Sequence, residues 1–191
     1  MGFSGAINMA LHTLSVLVEN SPGVLARVAS LFSRRGYNID SLAVGPTEDA
    51  KVSRMTIVLN LEGHALDQVS AQLFKLVNVI GIQEMKSVET RQRELAFVKV
   101  NSNRAKIEPL ISSYQAEIVE ELSSGCIIQV VAQNKDLVEL LKRLEPLGIK
   151  ELVQSGAIAI ELGDQTLVER TAKETGLASS ETQSQLEDYQ N

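Results

Sequence analysis

The stretch Glu19-Asn20-Ser21-Pro22-Gly23-Val24-Leu25 joins an apolar strand, His12 to Val18, to an amphipathic helix, Val24 to Arg35. A short polar turn that closes a strand and opens a helix leaves backbone N–H groups unpaired at the helix N-terminus. The helix dipole adds partial positive charge there, so a carboxylate is well accommodated. Asn20 can offer a carbonyl oxygen to an ammonium group or amide hydrogens to a carboxylate. Pro22 suits the first helical position, where its missing N–H costs nothing. Gly23 puts no side chain between a ligand and the backbone. The turn reads as a seat for a free amino acid, although an ordinary helix start would use the same residues.

Outward from this turn the periodicity predicts an α+β fold. Leu14, Val16 and Val18 alternate along the first strand, while Val24, Leu25, Val28, Leu31 and Phe32 form one helical stripe. Gly36 follows the last turn, where a left-handed residue ends a helix. Met55, Ile57, Leu59 and Leu61 alternate in a later strand. Leu66, Val69, Leu73, Leu76 and Ile80 predict a second helix stopped by Gly81, and Ile82 to Val88 a weaker strand. The result is a ferredoxin-like βαββαβ unit, an antiparallel sheet with two helices on one face.

The order then recurs without repeating the sequence. Strands are predicted over Leu95 to Val100, Ala116 to Glu121 and Cys126 to Ala132, the last two joined at Ser123-Ser124-Gly125. A helical region spans Asn103 to Tyr114, where Pro109 predicts a late start or a kink. Asp136 to Leu144 is a helix with Asn134 placed to cap it. Ile149 to Leu162 is a last strand, bent or split at Ser155-Gly156. Accordingly, residues 1–10 read as an extension, 11–90 as one domain that carries the candidate amino-acid seat, and 91–163 as a second ferredoxin-like domain. From 164 the chain is a polar tail, with a short helix over Leu167 to Gly176 and disorder beyond. A fragment ending at about Glu89 is expected to fold on its own and to keep the whole seat.

Composition excludes several functions. Charged residues are 22% and the net charge is −6, of which 164–191 carries −4. There is no basic footprint for nucleic acid, and with 4% aromatics and no Trp no platform for stacking bases. Cys126 stands alone in an apolar strand, so neither a disulfide framework nor a multi-cysteine metal site is possible within the chain, and an inert buried thiol is expected. His12 and His64 are too few and too isolated for a metal site. No apolar run reaches the roughly 20 residues of a membrane span. Residues 1–10 hold no basic residue and resemble no secretory or transit peptide. There is no Ser/His/Asp or Cys/His arrangement and no glycine-rich phosphate loop, so no catalytic residues are assigned.

A longer pattern narrows the reading. Arg34-Arg35-Gly36-Tyr37-Asn38-Ile39-Asp40-Ser41-Leu42-Ala43-Val44-Gly45-Pro46-Thr47-Glu48-Asp49, followed by Ser53-Arg54-Met55-Thr56-Ile57 and preceded by His12 to Asn20, resembles the small, regulatory subunit of acetolactate (acetohydroxyacid) synthase. That family carries an amino-terminal ACT domain, a small-molecule sensor fold. The resemblance runs from about Leu11 to about Leu162, is nearly continuous to Val79, and is absent at both ends.

The resemblance implies a noncatalytic subunit that raises the activity of a large catalytic partner and mediates feedback inhibition by valine or another branched-chain amino acid. This chain would bind no cofactor, whereas the partner would use thiamine diphosphate, Mg2+ and FAD. Two ACT domains are expected to pair side by side in a homodimer, bringing Asn38 of one toward Asn20 and Gly23 of the other. Val24, Leu25 and Ile39 would then wall the branched side chain. Pro46 to Arg54 would face the catalytic subunit, with Arg34 and Arg35 as candidate interface cations. The implied location is the cytoplasm, or the plastid stroma in a photosynthetic source. The alternative is a free-standing ACT-type amino-acid sensor acting on another partner.

Overall fold

Alternation decides the first sheet. Leu14, Val16 and Val18 on β1 (Met9–Glu19) and Met55, Ile57, Leu59 and Leu61 on β3 (Val52–Glu62) all turn into one core. The computed structural model describes residues 9–62, 65–86 and 88–174, which divide into two units. In the first, α1 (Val24–Arg34), β2 (Ile39–Pro46), α2 (Ala65–Leu73) and β4 (Val79–Glu84) complete the βαββαβ order. The strands lie β2-β3-β1-β4, all antiparallel, so β2 and β4 are the edges. Val24, Val28, Leu31 and Phe32 of α1 and Val69 and Leu73 of α2 pack on the sheet from one side. Helix α1 closes at Gly36 (φ 70°), with Gly36 N–H donating to Ser33 O and Tyr37 N–H to Phe32 O. That is the expected left-handed helix end.

Several boundaries differ from the sequence reading. Met9 and Ala10 are not outside the fold, because β1 begins at Met9 and pairs from there with Glu62. Helix α2 ends at Leu73, earlier than expected. Leu76 to Asn78 turn the chain into β4, so Ile80 and Gly81 are strand residues and Gly81 pairs with Leu17. His64 lies outside the described residues, as do residues 1–8.

The second unit is built the same way from β5 (Thr90–Val100), α3 (Arg104–Ile111), β6 (Ala116–Leu122), β7 (Gly125–Ala132), α4 (Asn134–Leu144) and β8 (Ile149–Gln154). Its order is β6-β7-β5-β8, the counterpart of the first, and β9 (Ile158–Glu161) also pairs with β5. Ala96, Val98, Val100, Ile128, Val130, Leu137, Leu140 and Leu144 belong to its core. The split at Ser155-Gly156 is as predicted. Helix α3 runs through Pro109 without the predicted late start, because Asn103 Oδ1 caps the Lys106 N–H at 3.2 Å. At α4 the Asn134 side chain does not cap. Asn134 is the first helical residue, Gln133 holds the cap position, and the Asn134 amide turns to Glu94 instead.

In the polar tail the short helix is present as predicted, but it is docked and not a free extension. Leu167–Glu174 form α5, with Leu167 and Thr171, one turn apart, both buried. This helix packs on β4 and belongs to the first unit. Residues 175–191, expected to be disordered, lie outside the described residues.

Candidate functional site

The turn before α1 is a β-turn over Ser21 to Val24, closed by Val24 N–H donating to Ser21 O. Pro22 is its second residue and Gly23 its third. Gly23 has φ 85° and ψ −8°, the values of the third position of a type II turn. Pro22 therefore precedes the helix instead of starting it, and Gly23 is the N-cap. Among the described residues no side chain caps α1, and no acidic residue stands in its first turn. The positive end of the helix is left to whatever approaches it. A Cβ built on Gly23 would meet nothing within 4 Å, so the space above the turn is open.

Asn20 is exposed and fastened. Its Nδ2 donates to Ala50 O at 2.9 Å, and its backbone N–H to Lys51 O at 2.6 Å. The β2–β3 loop that offers these carbonyls is itself held by Thr47 Oγ1, which donates to Val52 O, and by Lys51 N–H donating to Asp49 Oδ1. With one amide hydrogen engaged, the Asn20 Oδ1 is the group best placed to accept from a ligand. On the other side Asn78, just before β4, donates through Nδ2 to the Glu19 carboxylate and accepts from Arg27 Nη1. Glu19 N–H also donates to Asn78 O at 2.9 Å. Sequence reasoning did not reach Asn78 or Arg27. They stand 51 residues apart, and no local pattern marks a contact of that span.

The six candidate residues do not meet within one chain. Asn20, Gly23, Val24 and Leu25 lie at the end of the sheet where Glu19 opposes Val52 and Pro46 opposes Ser53. Asn38 and Ile39 lie at the other end, where Ile39 opposes Leu59 and Leu59 opposes His12. The 11 residues of α1 separate the two groups, a rise of about 16 Å. Val24 is buried in the core, Leu25 is exposed, and Ile39 is half-buried against the core. Asn38 is exposed, its Nδ2 donating to Asp40 Oδ1 at 2.7 Å.

Two further features belong to this unit and its neighbour. Arg34 and Arg35 line an open groove with Leu31, Tyr37, Gln72, Lys75 and Leu76, and neither arginine has an ion-pair partner among the described residues. Cys126 is buried, and burial pushes its thiol pKa up. No group of three or more His, Cys, Asp or Glu among the described residues could hold a metal ion, and no described helix is long and apolar enough to cross a membrane.

Comparison with known proteins agrees with the fold. Residues 14–81 match the family described as "AHAS small subunit-like ACT domain", and residues 93–163 match the family described as "Small subunit of acetolactate synthase". The chain is 47% identical over 155 residues to the acetolactate synthase small subunit of Mycolicibacterium smegmatis, covering 80% of this chain and 91% of that protein. The small subunit of Mycobacterium leprae is 43% identical over 160 residues, covering 82% and 95%. The crystal structure of the acetolactate synthase small subunit from Thermotoga maritima superposes with a TM-score of 0.75 at 28% identity, covering 82% of this chain and 99% of that one. Two ferredoxin-like units in tandem, an uncapped helix start after the first strand, and matches over both units lead to one conclusion: the chain belongs to the acetolactate synthase small-subunit family.

Proposed function

We propose that this chain is the noncatalytic regulatory subunit of an acetolactate synthase. It docks on the large catalytic subunit and raises its activity, and it lowers that activity when valine or another branched-chain amino acid fills the seat at Asn20 and Gly23. The effector carboxylate takes the N-terminal N–H groups of α1, and its ammonium takes Asn20 Oδ1. Leu25, Ile39 and the backing Val24 face the branched side chain. The chemistry itself belongs to the partner and its thiamine diphosphate, Mg2+ and FAD.

The observation that carries the effector reading is the separation of the candidate residues. Asn38 and Ile39 cannot reach Gly23 in their own chain, yet β2 is an edge strand that, among the described residues, bonds only to β3. Two copies joined antiparallel through β2 bring Ile39 of one beside the Pro46 end of the other, the end that carries Asn20 and Gly23. A two-fold axis then makes two equivalent seats. Inhibition follows if the ligand binds the inhibited arrangement more tightly than the activated one.

Reconstitution tests this. The purified chain should form no acetolactate when supplied with the three cofactors. Added to the large subunit it should raise the rate, and valine should lower that rate again. Turnover by the chain alone, or a partner indifferent to it, would overturn the proposal. Valine binding with no effect on the partner would favour a free-standing sensor.

A further inference from the structure

Helix α5 lies beyond both stretches that match the family, which end at residues 81 and 163. It is nonetheless a built element. Thr166 and Glu169 close its start reciprocally, Thr166 N–H donating to Glu169 Oε2 at 2.8 Å and Glu169 N–H to Thr166 Oγ1 at 3.2 Å, a capping box. Arg170 pairs with Glu161 of β9 at 3.2 Å. Thr171 Oγ1 donates to Leu167 O at 2.8 Å.

Its docking place can be read from Gly81. This glycine has no positive φ, so its backbone does not require glycine. Space does: a Cβ there would stand 2.5 Å from Thr171 Oγ1, 3.1 Å from its Cγ2 and 3.2 Å from its Cβ. Gly81 pairs with Leu17, whose neighbours Val16 and Val18 belong to the core under α1 and α2. Leu17 and Thr171 therefore lie on the opposite face of the sheet. That face is buried as well, with Ser15 and Leu17 of β1 and Thr56 and Val58 of β3 nearly inaccessible.

We infer that α5 is a clasp for the effector domain. Docked over Gly81, it holds edge strand β4 in the position from which Asn78 bridges Glu19 and Arg27 beside the seat. Gly81 is three residues from Asn78, and the β1–β4 register shifts between them, at Leu17/Val18. An edge strand bonded on one side only, with an irregular register, needs support from its faces, and α5 supplies it on the face that α1 and α2 leave uncovered. This inference rests on the proposed seat only for its consequence: release of α5 weakens effector binding.

Hydrogen exchange and calorimetric valine titration on the full chain test it with three variants. Gly81→Ala drives a methyl group into Thr171 and should release α5. Gly81→Ala/Thr171→Ala removes the two closest obstructing atoms and should restore docking. Leu167→Glu puts a carboxylate on the buried face of α5 and leaves the sheet untouched. In the parent chain the amides of Leu167–Glu174 and of β4 should be protected. Gly81→Ala and Leu167→Glu should lose that protection and weaken valine binding about five-fold or more, the lower range of typical coupling between sites. The double variant should regain both. Free exchange of α5 in the parent chain, or protection unchanged in Gly81→Ala and Leu167→Glu, would refute docking. Release of α5 with β4 still protected and valine affinity unchanged would refute the clasp. If the parent chain binds no valine, the effector reading fails, while the exchange pattern still judges α5 and β4.

Discussion

Gly23 offers the sharpest test of the seat, because backbone strain and ligand exclusion there rank substitutions differently. Its φ of 85° is left-handed, and an L side chain in that conformation costs about 1–2 kcal/mol. No steric contribution adds to this, since a Cβ would meet nothing within 4 Å. Gly23→Ala should therefore lower the thermal midpoint by about 4–8 °C for each kcal/mol, the sensitivity of a domain this small. Asn tolerates left-handed geometry better than Ala, so Gly23→Asn should lose less. Exclusion of a ligand runs the other way: Asn is bulkier, and Gly23→Asp also sets a carboxylate where the ligand's own belongs. The assay is thermal unfolding of each variant with and without valine. A ligand at a hundredfold excess over its Kd raises stability by about 2.7 kcal/mol. The parent chain should show such a rise, Gly23→Ala a smaller one, and Gly23→Asn and Gly23→Asp none. A full valine-induced rise in Gly23→Asn or Gly23→Asp would remove this turn from the effector site, whatever the stability ranking.

Three other outcomes follow from the same geometry. Asn20→Ala removes both an acceptor for the ammonium and the tie to Ala50 O. Calorimetry should find valine affinity lowered about ten- to a hundredfold, the value of one hydrogen bond to a charged group, and an unchanged affinity would clear Asn20 of contact. A fragment ending at Glu89 keeps both helices but loses α5, so Gly81 and the face of β4 around it lose the cover of Thr171. It should melt below the full chain and bind a hydrophobic dye, and equal stability would count against the clasp. Cys126 should stay unreactive toward a thiol reagent at neutral pH until the chain unfolds. Its burial both hides the sulfur and pushes the thiol pKa up, so thiolate is scarce. Rapid native-state labelling would show that the strand opens.

Much of the fold was legible because its signals are local. Period-two alternation marked β1 and β3, a helical stripe marked α1, and Gly36 marked the helix end, all within a few residues. The errors lie where a distant partner overrides the local pattern. Ile80 continues the spacing of α2, but the chain there is drawn into β4 by pairing with β1. Asn134 has cap chemistry, yet its amide turns to Glu94 in β5. Gly81 looks like a helix stop, and its smallness instead admits Thr171 from ninety residues away.

The sequence by itself determined the tandem βαββαβ architecture, the strand-to-helix turn, and the family, since periodicity, turn chemistry and an extended residue pattern all reside in consecutive positions. Only the tertiary structure decided that Gly23 is a left-handed cap behind Pro22, that Asn78 ties Glu19 to Arg27, and that Asn38 and Gly23 stand at opposite ends of one subunit. It alone brought α5 back onto the first unit. The last three share a physical reason: each depends on which side of a sheet a residue faces and which strand lies next to it, and strand neighbours are chosen by burial across the whole chain.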